Sequence, residues 1–88
     1  MGEIVVRRRQ NGASRTASEI VVSAKDKGRA ATTLKEILHT AQRDRGRGLW
    51  SDADPEILVD GSVIARLRKH EIIAELIEHV LQRAWPNE

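Results

Sequence analysis

The chain has 88 residues, of which 40% are hydrophobic and 32% are charged. A chain of this length has room for one hydrophobic core, so residues 1–88 are predicted to form a single domain with a small core. Cysteine is absent, which excludes disulfides, thiolate metal sites and a cysteine nucleophile.

Charge is distributed unevenly along the chain. Residues 1–50 contain eleven Lys or Arg against five Asp or Glu, whereas residues 51–88 contain four against eight. The net charge of +2 therefore combines a basic first part with an acidic second part. Two interpretations stay open. Either the two parts face each other within the fold or between copies of an oligomer, or the basic part forms a surface for a polyanion.

Hydrophobic segments are short throughout. None approaches the roughly 20 residues that a membrane span needs. Residues 1–10 carry three arginines and lack the apolar stretch of a secretory signal. We therefore expect a soluble, cytoplasmic protein with no membrane partner.

Two β-branched segments open the chain. Residues 3–8 read EIVVRR and residues 18–24 read SEIVVSA, and both are typical of strands. The polar segment between them contains Asn11-Gly12, a dipeptide that favours a tight turn. These segments predict a hairpin.

Residues 30–42 are predicted to form an amphipathic helix, with apolar residues spaced three and four apart. Thr32 or Thr33 is the expected N-cap. Residues 25–29, which are charged and include Gly28, are expected to be a connection.

Residues 43–55 are rich in Gly, Asp and Arg and are predicted to be irregular. Residues 56–67 read EILVDGSVIARL, which predicts a second hairpin that turns at Asp60-Gly61. Residues 69–85 are predicted to form a second amphipathic helix that ends at Pro86. The resulting fold class is α+β: a small two-layer sandwich of order ββαββα, with a mainly antiparallel sheet and two helices on one face.

Glu71, Glu75 and His79 follow one another at a spacing of four on the second predicted helix and could face a divalent ion together. The segment HEIIA lacks the second histidine of a zinc-protease motif, and the same spacing is common on solvated helix faces. No serine lies in a nucleophile motif, and no glycine-rich loop is suited to phosphate. The sequence therefore predicts a protein that is not an enzyme and has neither a metal nor a cofactor.

Arginines form two clusters, one at the end of the first strand and one in the irregular segment. An arginine-rich loop beside an indole can pair with phosphates and stack on a base. Nearby carboxylates of residues 44, 52, 54 and 56 could also offset these charges locally. The candidate contact residues are Arg7, Arg8, Arg9, Arg15, Arg43, Arg45, Arg47 and Trp50.

The two tryptophans are the only aromatic residues. Trp50 lies in a polar segment, so it either folds back to close the core or anchors a partner. Trp85 ends the apolar stripe of the second helix and is expected to lie in the core or at a dimer contact.

From Ser18 onward the elements run strand, helix, hairpin and helix, and residues 22–29 read VSAKDKGR. In this order and segment the chain resembles Phd/YefM-type antitoxins, although it has an additional strand before Ser18. Its first four elements are similar in order to ubiquitin-like β-grasp proteins, from which the final helix and the lack of a terminal Gly-Gly depart. Both resemblances imply a protein-interaction module, and neither transfers a functional residue.

Two functional hypotheses follow. The first is a small regulatory or accessory protein that binds nucleic acid through its arginine-rich segments, as a homodimer formed through the C-terminal helix. The second is a protein-interaction adaptor or inhibitor, antitoxin-like or ubiquitin-like, that docks a partner around Trp50 and the C-terminal helix.

Overall fold

The computed structural model describes residues 2–8, 18–48, 50 and 53–86. The predicted Asn11-Gly12 turn lies outside these residues. Within them the predicted element order ββαββα is confirmed. The elements are β1 (Ile4–Arg8), β2 (Ser18–Val22), α1 (Lys27–Arg43), β3 (Glu56–Val59), β4 (Ser62–Arg66) and α2 (Ile73–Ala84).

The strands form one open, antiparallel, four-stranded sheet in the order β2-β1-β3-β4. β1 pairs with β2 on one side and with β3 on the other, so β1 and β3 are the central strands. α1 carries the chain from the edge strand β2 to the far side of β1, where β3 begins. The predicted antiparallel sheet is therefore confirmed.

Both helices cover the same face of the sheet, as predicted. Side chains alternate along a strand, so Ile4 and Val6 lie on the helix side, whereas Val5 and Arg7 lie on the outer side. The helix-side residues of β1 and β3 form one core cluster with the apolar residues of α1 and α2. The largest fully buried side chains are those of Ile4, Leu34, Leu38, Ile57, Leu67, Val6 and Val80.

The predicted start of α1 is wrong. The helix begins at Lys27 and its N-cap is Asp26, whose carboxylate accepts a hydrogen bond from Arg29 N at 2.8 Å. Thr32, an expected cap, lies inside the helix and donates its hydroxyl to Gly28 O at 3.2 Å. Aspartate is a favoured N-cap residue because its carboxylate accepts a hydrogen bond from a backbone N–H of the first turn. The helix therefore begins before Gly28, which lies in that first turn.

The predicted bounds of β2 and α2 are also too wide. β2 ends at Val22 and not at residue 24. α2 begins at Ile73 and not at residue 69, because Glu71 N bonds to Arg68 O in a turn that precedes the helix. Trp85 is the C-cap and is buried in the core, which was one of its two predicted positions.

The apolar stripe of α2 is used within the fold. Leu76, Ile77, Val80, Leu81 and Ala84 are all buried against the sheet and α1. Self-association through α2 was predicted from this apolar stripe. Because the stripe is buried within one copy of the chain, no second copy is needed to explain it. Neither described helix has the length and apolar character that crossing a lipid bilayer requires.

The hairpin of β3 and β4 turns at Asp60 and Gly61, as predicted. Both residues have positive φ, at 53° and 84° respectively. This conformation matches the twist of the flanking strands, and glycine adopts it without strain. Asp60 Oδ1 also accepts a hydrogen bond from Glu3 N at 2.9 Å, which ties the turn to the start of β1.

We expect Gly61→Ala to lower the free energy of unfolding by about 1 kcal/mol, because alanine is strained at positive φ. The matched control is Gly28→Ala, which lies in the first turn of α1 and should raise stability by up to about 1 kcal/mol. Urea unfolding followed by circular dichroism measures both. Equal effects of the two substitutions would contradict this account of the turn.

Candidate nucleic-acid interface

Arg7 lies on the outer face of the sheet within a row of alternating charges. The strand register places Glu19, Arg7, Glu56 and Arg66 side by side across the four strands. Arg7 Nε lies 3.3 Å from Glu19 Oε2, and Arg7 Nη1 lies 3.4 Å from Glu56 Oε1. Arg66 Nη2 lies 3.3 Å from the other oxygen of Glu56. Two carboxylates therefore offset the charge of Arg7.

Arg8 is the next residue and lies on the opposite, helix-covered face. Its guanidinium carbon lies 5.1 Å from the centre of the Trp50 ring, which is within the range of a cation–π contact. Arg8 Nε is buried and has no hydrogen-bond acceptor in the described part of the chain. Leaving such a donor without an acceptor costs about 1–3 kcal/mol.

Trp50 folds back into the core, one of its two predicted positions. Its side chain is only 7% exposed and belongs to the core cluster. The backbone holds it there, because Trp50 N donates to Arg47 O at 2.9 Å and the two residues form an isolated β-bridge. Little of the indole is accessible to a docking partner, and its described contact outside the core is with Arg8.

Arg45 connects the segment after α1 to the sheet through its side-chain hydrogen bonds. Its Nη1 lies 2.9 Å from Asp54 Oδ1, and its Nη2 donates to Leu67 O at 2.7 Å. The side chain is 11% exposed. This arginine therefore joins the segment after α1 to the end of β4, and its donors are occupied within the fold.

Arg43 and Arg47 are exposed around Asp44. The Arg43 side chain is 73% exposed, and its Nε lies 3.2 Å from Asp44 Oδ1. The hydrogen bond from Arg43 lowers the pKa of Asp44, and the positive charge of Arg47 acts in the same direction. Asp44 in turn raises the pKa of Arg43. Asp44 is therefore ionised at neutral pH and offsets part of the charge of its two neighbours.

A shallow cavity of about 420 Å³ opens between these residues. It is lined by Asp44, Arg47, Gly48 and Trp50. Gly48 has a φ of 54°, a conformation that lets the loop turn sharply between Arg47 and the indole. The cavity thus lies beside the indole on which Arg8 stacks.

The structure brings together part of the predicted contact set. Arg8 lies over the Trp50 ring, Arg47 forms a β-bridge with Trp50, and Arg43 pairs with Asp44, on which the charge of Arg47 also acts. We call Arg8, Arg43, Arg47 and Trp50 the Trp50 cluster. Arg7 and Arg45 lie elsewhere and are paired with carboxylates. Arg9 and Arg15 lie outside the described residues.

Sequence reasoning missed one feature of this region, the separation of Arg7 from Arg8, although the alternation of a strand already implies it. The predicted local offset of the arginines by nearby carboxylates is confirmed by the pairs of Arg43 with Asp44 and of Arg45 with Asp54. The pairing of Arg45 with the Leu67 carbonyl gives no signal in the sequence, because it depends on how the loop packs on β4.

Metal binding finds no support in this arrangement. Among the described residues, no group of three or more His, Cys, Asp or Glu is placed to hold a metal ion. Glu71 precedes α2, whereas Glu75 and His79 are exposed on it.

Comparisons with protein-family models, with curated proteins and with solved structures find no match to this chain.

We expect Arg45→Gln to lower the free energy of unfolding by about 1–3 kcal/mol, because the Leu67 carbonyl and Asp54 lose a charged donor. The control is Arg43→Gln, which removes the same charge two residues earlier from an exposed side chain and should change stability by less than about 0.5 kcal/mol. Chemical denaturation of the two variants measures the difference. A larger loss in Arg43→Gln would contradict the structural role of Arg45.

Proposed function

We propose that this chain is a small, non-catalytic, cytoplasmic regulatory protein that binds nucleic acid through the Trp50 cluster. The observation that carries the proposal is the position of Arg8 over the ring of Trp50, the same residue to which the exposed Arg47 is bridged. A phosphate oxygen is the kind of acceptor that such a guanidinium group binds most strongly.

The local charge favours an anion. Arg8, Arg43 and Arg47 carry three positive charges against the one carboxylate of Asp44, and Arg47 forms no salt bridge with a carboxylate of the described residues. Guanidinium groups around a phosphate backbone release counterions, which makes binding dependent on salt. The proposed contacts are with phosphates, so they position the nucleic acid without reading its sequence.

Rigid placement supports the same proposal. Arg8 ends a central strand, and Trp50 is fixed by the core and by its bridge to Arg47. Side chains that are already held in place lose less conformational entropy when a ligand binds. The indole itself is too deeply buried to stack on a base, so its proposed role is to hold Arg8.

A second candidate function is that of an adaptor or inhibitor that docks a protein partner. The observation that favours it is a groove of about 640 Å³ between α1 and α2, whose floor includes Ile73, Ala74 and Ile77. Lys35, His39 and Glu71 lie along it. In this alternative the partner contacts the C-terminal helix and the groove, and a homodimer through α2 would use the same surface.

Arg47→Gln is expected to weaken binding to mixed-sequence DNA and RNA at low salt and to reduce the slope of log K against log salt concentration by about one. Fluorescence anisotropy with labelled oligonucleotides measures both quantities. The control is Arg29→Gln, since Arg29 is 84% exposed and lies at the opposite end of α1.

Arg29→Gln should leave most of the affinity and the slope in place. Equal losses in the two variants would show that the protein attracts nucleic acid only through its overall charge. No binding by the unmodified protein at low salt would refute the proposed function.

Asp44→Asn is expected to strengthen binding severalfold, because it removes the carboxylate that offsets Arg43 and Arg47 while keeping the side-chain size. The lowered pKa of Asp44 keeps this group ionised at neutral pH, so the substitution removes a full charge there. The same anisotropy titration at neutral pH measures the gain. Unchanged or weaker binding would place the nucleic acid away from Asp44.

A further inference from the structure

The outer face of the sheet, which the helices do not cover, carries two rows of side chains that run across all four strands. The charged row is Glu19, Arg7, Glu56 and Arg66. The apolar row is Val21, Val5, Leu58 and Val63, as the register of the same strands shows. We call these eight residues the outer sheet face.

The apolar row leaves hydrophobic surface exposed at both edges of the sheet. Val21 is 50% exposed and Val63 is 44% exposed, whereas Val5 and Leu58 between them are buried. These two valines are among the three large hydrophobic residues that are exposed in the described part of the chain. Antiparallel sheets commonly have a polar face toward water, whereas here one row across that face is apolar and has a valine exposed at each end.

The charged row alternates in sign from edge to edge. Read from β2 to β4, the charges are negative, positive, negative and positive, so the reversed order is positive, negative, positive and negative. A second copy that is turned about a two-fold axis parallel to the strands, between β1 and β3, presents this reversed order. Glu19 of one copy then faces Arg66 of the other at both edges of the row, where these side chains are 49% and 60% exposed. Glu56 at the centre is buried and pairs with Arg7 and Arg66 of its own chain.

The same rotation places the apolar rows together. Val21 of one copy faces Val63 of the other, and the central Val5 faces Leu58. A two-fold contact must be complementary to itself, and both rows satisfy this condition at once. Two packed sheets lie about 10 Å apart and are rotated by about 30°, and the long side chains of Glu19 and Arg66 can span the resulting offset at the edges.

We infer that this chain forms a homodimer by packing its outer sheet face on that of a second copy. The exposed valines supply apolar contact area, and the charged row sets the orientation of the two copies. This interface differs from α2, whose apolar stripe is buried within one copy. The inference does not depend on the proposed binding of nucleic acid.

Sedimentation velocity over a concentration series tests the dimer. The unmodified protein should approach twice the monomer mass of 9.9 kDa as its concentration rises. Glu19→Arg and Arg66→Glu should each weaken self-association by at least about tenfold, because each places two pairs of like charges across the interface. A protein that remains monomeric at every soluble concentration would overturn the inference.

Mixing the two charge variants gives the decisive result. Glu19→Arg offers arginine at both edges of the row and Arg66→Glu offers glutamate at both, so an equimolar mixture should associate more strongly than either variant does alone. No association in the mixture would refute this orientation of the copies. Dimers that persist in both single variants would place the interface on another surface.

Within their own chains Arg66→Glu also faces Glu56 and Glu19→Arg also faces Arg7, so a second test avoids charge. The double substitution Val21→Thr and Val63→Thr keeps the β-branched shape and should weaken the dimer by at least about tenfold, since each change occurs twice in the dimer. The control is Ile72→Thr, an exposed apolar residue before α2. Equal effects of the valine and isoleucine substitutions, or no effect of the valines, would contradict the inference.

Discussion

The position of β1 at the centre of the sheet determines what each of its side chains can do. It is paired on both edges, so its backbone is fixed and its residues alternate strictly between two faces. Ile4, Val6 and Arg8 lie under the helices, and Val5 and Arg7 lie on the outer side. Two adjacent arginines thereby acquire different surroundings: Arg7 lies between two carboxylates, and Arg8 stacks on an indole.

Part of the uneven charge of the chain is offset within the fold, which is one of the two interpretations that the sequence left open; a surface for a polyanion stays a proposal. Arg7 and Arg45 from the basic part pair with Glu56 and Asp54 from the acidic part, and these contacts join the loop and the sheet. Arg43 instead pairs with its neighbour Asp44, and Arg8 stacks on Trp50. Pairing across the fold therefore accounts for Arg7 and Arg45, whereas Arg8 and Arg47 contact Trp50.

The sequence predicts element types better than element bounds or side-chain partners. The hairpin at Asp60-Gly61 is local, since two residues determine its positive φ values, and it was predicted correctly. The start of α1 was missed because Gly28 and its charged neighbours outweighed Asp26 as a cap. The spacing of apolar residues predicts that α2 is amphipathic, but it does not predict which residues cover the apolar stripe of this helix. That depends on the whole fold, which buries the stripe within one copy.

For the candidate contact residues, the sequence predicts the surroundings of each side chain even less well. Arg43, Arg45 and Arg47 are alternate residues of one type, yet Arg45 is partly buried and donates to Leu67 O, whereas Arg43 and Arg47 are exposed. A turn at Gly46 and Gly48, both with positive φ, directs them differently. Glycine positions can indicate that a loop turns, but the direction of each side chain follows from packing on β4.

The two proposed surfaces are geometrically compatible. A two-fold axis parallel to the strands keeps both copies of Arg8 at the same end of the dimer, because rotation about that axis does not reverse the strand direction. Arg8 lies on the helix side of its sheet, so the two clusters would flank the paired sheets and lie more than about 10 Å apart. Two such clusters facing one end of the dimer can engage a single polyanion together. Dimerisation would then increase the apparent affinity without adding a contact within either cluster.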